Sequence, residues 1–223
     1  MLSMLSVSKE DFLKAVYKLE EESHAPVLLS AVARYLQLSK AAVGSMRKKL
    51  EGEGLLSYSR GKGIRLSANG RKLALQVLRR HRIWETFLVE VLGFPWEDVH
   101  AEAERLEHYS SEALIARMDA YLLHPRFDPH GHPIPDKEGR MPEICGLLHL
   151  AKAQREKTYE VARVNDLDER LVQYLGEIGL SPGKKLEVLE RFDFDESVQV
   201  RTEKGVYLLS SKVANEIRIC ETT

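Results

Sequence analysis

Cysteine is scarce. Cys145 and Cys220 are the only two in 223 residues, far apart and outside any CxxC. That leaves no basis for a disulfide framework or a thiolate zinc finger. Long apolar runs are missing too, with nothing near the roughly 18 residues that span a bilayer. The opening "MLSMLSVSKEDFLKAVYKLEEE" lacks the basic start and long apolar core of a secretory leader. There is no low-complexity tract and no long internal repeat. With 43% apolar residues, the chain has ample material for packed cores, which excludes wholesale disorder. The expectation is a cytoplasmic protein of two or three small domains, with no membrane partner.

What is present is an uneven distribution of charge. The formal net charge of -1 hides a block from Lys40 to Arg82 with twelve Lys/Arg against two Glu. The next stretch, Ile83 to Ala120, holds nine acidic residues and two arginines. A basic block followed by an acidic one points to two jobs, attraction of a polyanion and attraction of cations.

The basic block coincides with a recognisable architecture. Residues 8–22 have helical spacing (Phe12, Val16, Leu19) with Ser8 as the expected cap. "APVLLSAVARYLQLS" gives a short strand-like entry and a second helix capped at Ser30. "SKAAVGSMRKKLEGEGLL" gives a third, capped at Ser39 and ended by "EGEG". Two short helices joined by "LQLS" form a helix-turn-helix. "LLSYSRGKGIRLSANG" then supplies two strands around a basic glycine turn, so the unit is a winged helix. In the recognition helix, Ser39, Lys40, Ala41, Ala42 and Ser45 are placed to approach base edges of double-stranded DNA, while Arg47, Lys48 and Lys49 suit phosphates. Arg60, Lys62 and Arg65 in the wing suit a neighbouring backbone or minor groove.

A long helix is expected from Asn69 to Leu92, then two more broken near Ser110, then the Pro/Gly loop "HPRFDPHGHPIP". In "VHAEAERLEH", residues 99–108, a helix puts His100, Glu104, Glu107 and His108 on one face. His81 and Glu85 stand at i, i+4 in the preceding helix. Imidazole and carboxylate without thiolate favour a divalent ion such as Mn²⁺ or Fe²⁺; a solvated charged surface is the competing reading. From Thr158 the period becomes 2, in "YEVARV", "KLEVLERF", "SVQVRT", "GVYLLS" and "IRIC", with one helix in "RLVQYLGEIGLSPG". This pattern fits a small β-barrel.

Winged helix, "RHRIWETFLVEVLGFPWEDVHAEAERLEHYSSE", "DPHGHPIP" and "LVQYLGEIGLSPGKKLEVLER" occur in that order, and together the chain resembles the diphtheria-toxin-repressor-type family of metal-dependent transcriptional regulators. The resemblance implies a mainly α protein with a small β part. It comprises a winged helix-turn-helix (residues 1–72), a helical dimerisation and metal-binding domain (73–145), a linker (146–157) and an SH3-like barrel of the ferrous-transport type (158–223). It implies a homodimer on a palindromic operator, repressing metal-uptake genes, and no enzyme. One metal site would use His81, Glu85 and His100, with Asp166 or Glu169 from the barrel. The other would use Glu104, Glu107 and His108 with Asp11 of the first helix. Iron-selective members carry cysteine where this chain has Glu104 and methionine where it has Asp11. The ligand pattern therefore resembles the manganese-responsive branch, although Lys14 stands where that branch tends to have a second carboxylate. Mn²⁺ is the expected cofactor and Fe²⁺ the alternative, with Zn²⁺, Co²⁺ and Cd²⁺ binding in vitro. His124, His130 and His132 are assigned to a structural turn. His24 and His149 have no partner spacing, Cys145 and Cys220 are read as buried small residues, and Trp84 and Trp96 as packing. The alternatives are a winged-helix regulator answering to an organic effector or a protein partner, and a carboxylate-bridged metalloenzyme.

Overall fold

The structure is a computed structural model and describes residues 6–222 apart from 145 and 167; Cys145 lies outside the described residues. The chain divides into two compact units. The first takes the residues through His81 together with 106–110 and 135–140. Helix α1 (Val7–Ser23) begins after Ser6 rather than Ser8, and the Ser6 hydroxyl makes no capping bond. It ends where His24 turns left-handed at φ 52° and its amide reaches Glu20 O. Phe12, Leu13, Val16 and Tyr17 form its buried face. Helix α2 (Leu29–Tyr35) is preceded by Leu28 and not capped at Ser30, which falls inside the helix. Ser39 does cap α3 (Lys40–Gly52), its hydroxyl accepting from Ala42 N at 3.2 Å.

Strands β1 (Leu56–Ser59) and β2 (Gly63–Leu66) pair antiparallel as the wing. The strand-like entry at Val27 bridges Ile64 from the other side. Gly63 permits this: its φ is 114° and a Cβ would sit 2.6 Å from Val27 O. Helix α4 (Ala68–Glu90) starts against the end of α3, where a Cβ on Gly70 would lie 1.9 Å from Leu55 O. Gly70→Ala is therefore expected to cost about 2 kcal/mol through a clash with backbone, measured by urea unfolding; an unchanged midpoint would mean the helix start can slide.

The second unit holds residues 82–105, 111–134 and 141–223. Helices α5 (Val99–Leu106) and α6 (Glu112–Tyr121) are separated by a 3-10 turn, Glu107–Tyr109. Ile83, Ile115, Met118 and Ile134 pack with Trp84, Phe87 and Leu122. Leu88, Val99 and Ala103 pack beside them. The C-terminal part is a six-stranded antiparallel sheet of β3 (Leu148–His149), β4 (Lys157–Val164), β5 (Lys185–Arg191), β6 (Val198–Thr202), β7 (Gly205–Leu209) and β8 (Ile217–Glu221), in the order β3-β8-β4-β5-β6-β7. Bulges in β4 near Ala162 and in β5 near Leu189 bend it around Tyr159, Val161, Leu186, Val188, Val200, Ile217 and Ile219. Helix α7 (Glu169–Glu177) closes the core through Val172 and Leu175, and α8 (Ser211–Asn215) through Ala214. Residues 146–157, expected as a linker, contain β3 and a 3-10 turn that belong to this sheet. Trp96 packs on the sheet's core and Trp84 on the helical one. No helix among the described residues is long and apolar enough to cross a membrane.

Candidate metal centres and nucleic-acid interface

"VHAEAERLEH" is not one continuous α-helical face. α5 tightens into the 3-10 turn after Leu106, which rotates Glu107 out of the expected line and buries it completely while Glu104 stays partly exposed. Glu107 and His108 thereby join the first unit and His100 and Glu104 the second.

In the first unit, Asp11, Glu107 and His108 each offer a ligand atom within 4.8 Å of one another. His108 Nε2 is 2.8 Å from Asp11 Oδ1 and 3.3 Å from Glu107 Oε1. Its Nδ1 is 2.7 Å from Glu10 Oε2, and Glu10 is held by Arg80 at 2.8 Å. This outer contact fixes the ring so that Nε2 faces the two carboxylates. Glu107 carries two further contacts: Lys14 Nζ at 2.6 Å from Oε1, and His81 Nδ1 at 2.6 Å from Oε2. Glu104 lies one helical turn before His108 in the chain. Glu10 was not legible as a contributor in the sequence, because a single acidic residue in a first helical turn is ordinary.

In the second unit, Glu85, His100 and Asp166 likewise offer atoms within 4.8 Å of one another. His100 Nδ1 stands 3.2 Å from Glu85 Oε1 and 3.9 Å from Asp166 Oδ2, and its Nε2 is 3.7 Å from Glu104 Oε1. His81 is one turn before Glu85 on α4. Of the two barrel candidates, Asp166 is the one brought in. Glu169 is exposed as the first residue of α7, after the Asp168 cap, and outside every such cluster among the described residues.

The loop assigned to a structural turn does more than turn. Asp128 accepts the His130 and His132 amides at 2.9 Å each, as a structural turn requires. Yet Glu85, Asp128 and His130 also form a fully buried group with atoms within 4.8 Å. His130 Nε2 donates to Trp96 O at 3.0 Å, which turns Nδ1 toward Glu85 Oε1, 3.8 Å away. His132 Nε2 is 3.9 Å from Asp166 Oδ1. Burial alone would push the His130 pKa down. The Glu85, Asp128 and Asp166 carboxylates around it prevail and raise it to about 9. The ring nitrogens Nδ1 of His130 and His132 make no hydrogen bond. Buried carboxylates beside imidazole nitrogens without hydrogen-bond partners fit a divalent cation, whose charge would replace that proton. What brings the loop here is Gly131, at φ 83°, where a Cβ would meet Ala162 O at 2.0 Å. The sequence signal was "DPHGH", whose Asp-x-His-x-His spacing serves a turn equally well.

On the winged helix, Ser39, Lys40, Ala41, Ala42, Ser45, Lys48 and Lys49 are exposed along α3, and Arg60, Lys62 and Arg65 on the wing. Arg47 is partly buried and has partners within the winged helix. It pairs with Glu51 at 2.5 Å and lies over the Tyr58 ring at 4.5 Å, while Glu51 accepts from Tyr58 N at 3.1 Å. Arg47 thus straps α3 to the wing and has fewer donors for DNA. Cys220 is half-buried, and burial followed by the nearby Glu160 raises its thiol pKa.

Three known families match the chain in succession: "Iron dependent repressor, N-terminal DNA binding domain" over residues 4–64, "Iron dependent repressor, metal binding and dimerisation domain" over 67–136, and "FeoA domain" over 148–220. The iron-dependent repressor IdeR of Mycobacterium leprae is 40% identical over 194 residues, covering 80% of this chain and 82% of that protein. A solved manganese-dependent transcriptional repressor in complex with manganese superposes with a TM-score of 0.87 at 34% identity, over 96% of this chain and 100% of the other. ScaR with bound Zn²⁺ gives a TM-score of 0.81 at 34% identity, over 96% and 99%. Winged helix, buried His/carboxylate groups and FeoA-type sheet occur in the family's order along the whole chain, and the protein belongs to the iron-dependent-repressor (diphtheria toxin repressor) family of metal-dependent transcriptional repressors.

Proposed function

We propose that the chain is a manganese-responsive repressor of metal-uptake genes, working as a cytoplasmic homodimer on a palindromic operator, with Fe²⁺ as the alternative co-regulator and no enzymatic turnover. The observation that carries this reading is the 2.8 Å approach of Asp11, in the DNA-binding segment, to His108, in the metal-binding and dimerisation segment. When bound, a divalent cation supplies the positive charge that lets these converging carboxylates stay ionised together. Asp11, Glu104, Glu107 and His108 would hold it at one centre. His81, Glu85, His100 and Asp166 would form the other, with Asp128 and His130 beside it. His81 Nδ1 is 2.6 Å from Glu107 Oε2.

Every donor in this set is oxygen or imidazole nitrogen, which suits Mn²⁺ better than a set containing Cys or Met. Zn²⁺, Co²⁺ and Cd²⁺ would bind the same donors in vitro. Lys14, by neutralising Glu107, leaves room for one ion at the Asp11 centre, not a bridged pair. Residues 1–72 would serve DNA and 73–145 metal and dimerisation, with the sheet domain starting at β3. Exposed apolar side chains on and near α6, Leu114, Tyr121 and Leu123, supply the surface for a second copy. Fixing α1 to the 107–109 turn would set the two winged helices at one operator spacing, and such coupling amounts to ~1–3 kcal/mol in comparable systems.

Fluorescence anisotropy of chelator-stripped protein on a genomic DNA pool, with and without Mn²⁺ and anaerobic Fe²⁺, tests this. A gain in affinity with Mn²⁺ that Glu104→Ala loses is expected. A gain with Fe²⁺ alone would reverse the choice of metal. Equal binding in every condition would remove the metal switch and favour an organic effector or a protein partner.

A further inference from the structure

Like charges directly opposite on neighbouring strands repel, and the sheet contains such a row. Arg163 of β4 is the register partner of Arg218 of β8, and Arg218 is in turn the partner of His149 of β3. The three therefore lie side by side across three strands, all half-buried. Neither arginine has a hydrogen bond or ion pair among the described residues, whereas most other arginines of the sheet are paired: Arg155 with Glu190, Arg191 with Asp193, Arg201 with Glu187. His149 donates from Nδ1 to Asn215 O at 2.7 Å, so Nε2 is not used in that bond. Burial, and then the Arg163 charge, lower the Arg218 pKa, and the Glu216 carboxylate offsets only part of this, so the row carries an electrostatic cost.

We propose that His149, Arg218 and Arg163 form a binding site for a small tetrahedral oxyanion of the phosphate class. Two guanidinium forks on adjacent strands, with Cβ atoms about 5 Å apart, can each give two parallel N–H donors to one oxyanion. The flanks limit the size of the guest. On the same face, the next register pair is Glu160 with Cys220 on one side, and Glu216 lies two residues before Arg218 on the other. Glu216 accepts from Asn165 Nδ2 at 2.6 Å. An extended polyanion would meet both carboxylates, but a single oxyanion would not. The site adjoins the metal-binding loop, since a Cβ on Gly131 would lie 2.8 Å from Arg163 Cα and Val164 N donates to His130 O at 3.0 Å. A bound oxyanion would thus hold β3, β8 and β4 together beside that loop.

The test is calorimetric titration of inorganic phosphate into the full-length, chelator-treated protein, with ionic strength held constant by chloride. Saturable binding at one site per chain is expected. It should weaken at least about tenfold in Arg218→Gln and in Arg163→Gln, for loss of charge-assisted hydrogen bonds, and be unchanged in Arg201→Gln. In phosphate-free buffer Arg218→Gln should also melt higher than the wild type, because the opposed charge is gone. No saturable phosphate binding, or equal weakening in Arg201→Gln, would overturn the proposal. So would a loss of DNA affinity in Arg218→Gln without phosphate binding, which would assign the row to a nucleic-acid backbone.

Discussion

Replacing Lys14 by methionine is expected to lower the stability of the metal-free protein by about 3 kcal/mol. Lys14 is 3% exposed and Glu107 fully buried, with 2.6 Å between the ammonium and Oε1. Removing one member of such a pair leaves a buried carboxylate without its cation, a loss of roughly 3–5 kcal/mol. His81 remains on Oε2, which places the effect at the low end. Methionine keeps the apolar stem, so little of the loss would come from packing. Urea unfolding in chelator reads it directly; a change below about 1 kcal/mol would mean that Glu107 is neutral in the native protein. The second arm concerns competition. Oε1 is the Glu107 oxygen that faces both Lys14 and His108, so the ammonium and a divalent cation contend for one atom. Manganese should therefore raise the unfolding midpoint of Lys14→Met by more than that of the wild type. Equal increments would place the cation on the other side of Glu107.

Legibility followed the range of the interactions. The recognition helix, the wing and five of the sheet strands could be read from period and turn chemistry, because each is fixed by residues a few positions apart. Ser39 was found as a cap because its hydroxyl acts three residues on. Ser8 and Ser30 were not caps because both fall inside their helices, which start after Ser6 and Leu28 without a side-chain cap bond. Strand β3 is two residues long and has no period to detect. At the metal centres, residue types were legible from spacing, and their division into two groups came from the family resemblance. Glu107 and His108 lie on a 3-10 turn of three residues, and no spacing rule distinguishes that turn from a further α-helical one. Asp128 and His130 reach Glu85 only because Gly131 lets the loop touch β4, a contact between residues about 30 apart in sequence. Arg47 illustrates the converse. Its position in a basic helix suggested a phosphate, and the same side chain also meets Glu51 at i+4 and the Tyr58 ring across the turn.

Asp11→Ala is expected to abolish the metal-dependent gain in DNA affinity while leaving the fold and the dimer intact. Asp11 is only partly buried, and the core residues of α1 are Phe12, Leu13 and Val16, so the substitution removes a ligand without opening a cavity. Changes to groups that merely orient a ligand commonly weaken metal binding 10–100-fold; loss of a ligand itself should exceed that, about 100-fold or more. The sharper consequence lies in the linkage. If the cation acts by fixing α1 to the 107–109 turn, a variant without Asp11 would bind metal at the Glu85 centre and still gain nothing in DNA affinity, a loss of ~5–150-fold relative to the loaded wild type. Glu10→Gln is the companion variant. Glu10 orients His108 through Nδ1, and glutamine can keep that hydrogen bond, so metal affinity should fall modestly while the switch survives. Anisotropy on operator DNA, paired with manganese titrations of the same preparations, separates the two effects. DNA binding by Asp11→Ala as metal-sensitive as that of the wild type would sink the bridge. The switch would then have to run through His81 and the α4 helix, the remaining covalent path from the Glu85 centre to the winged helix.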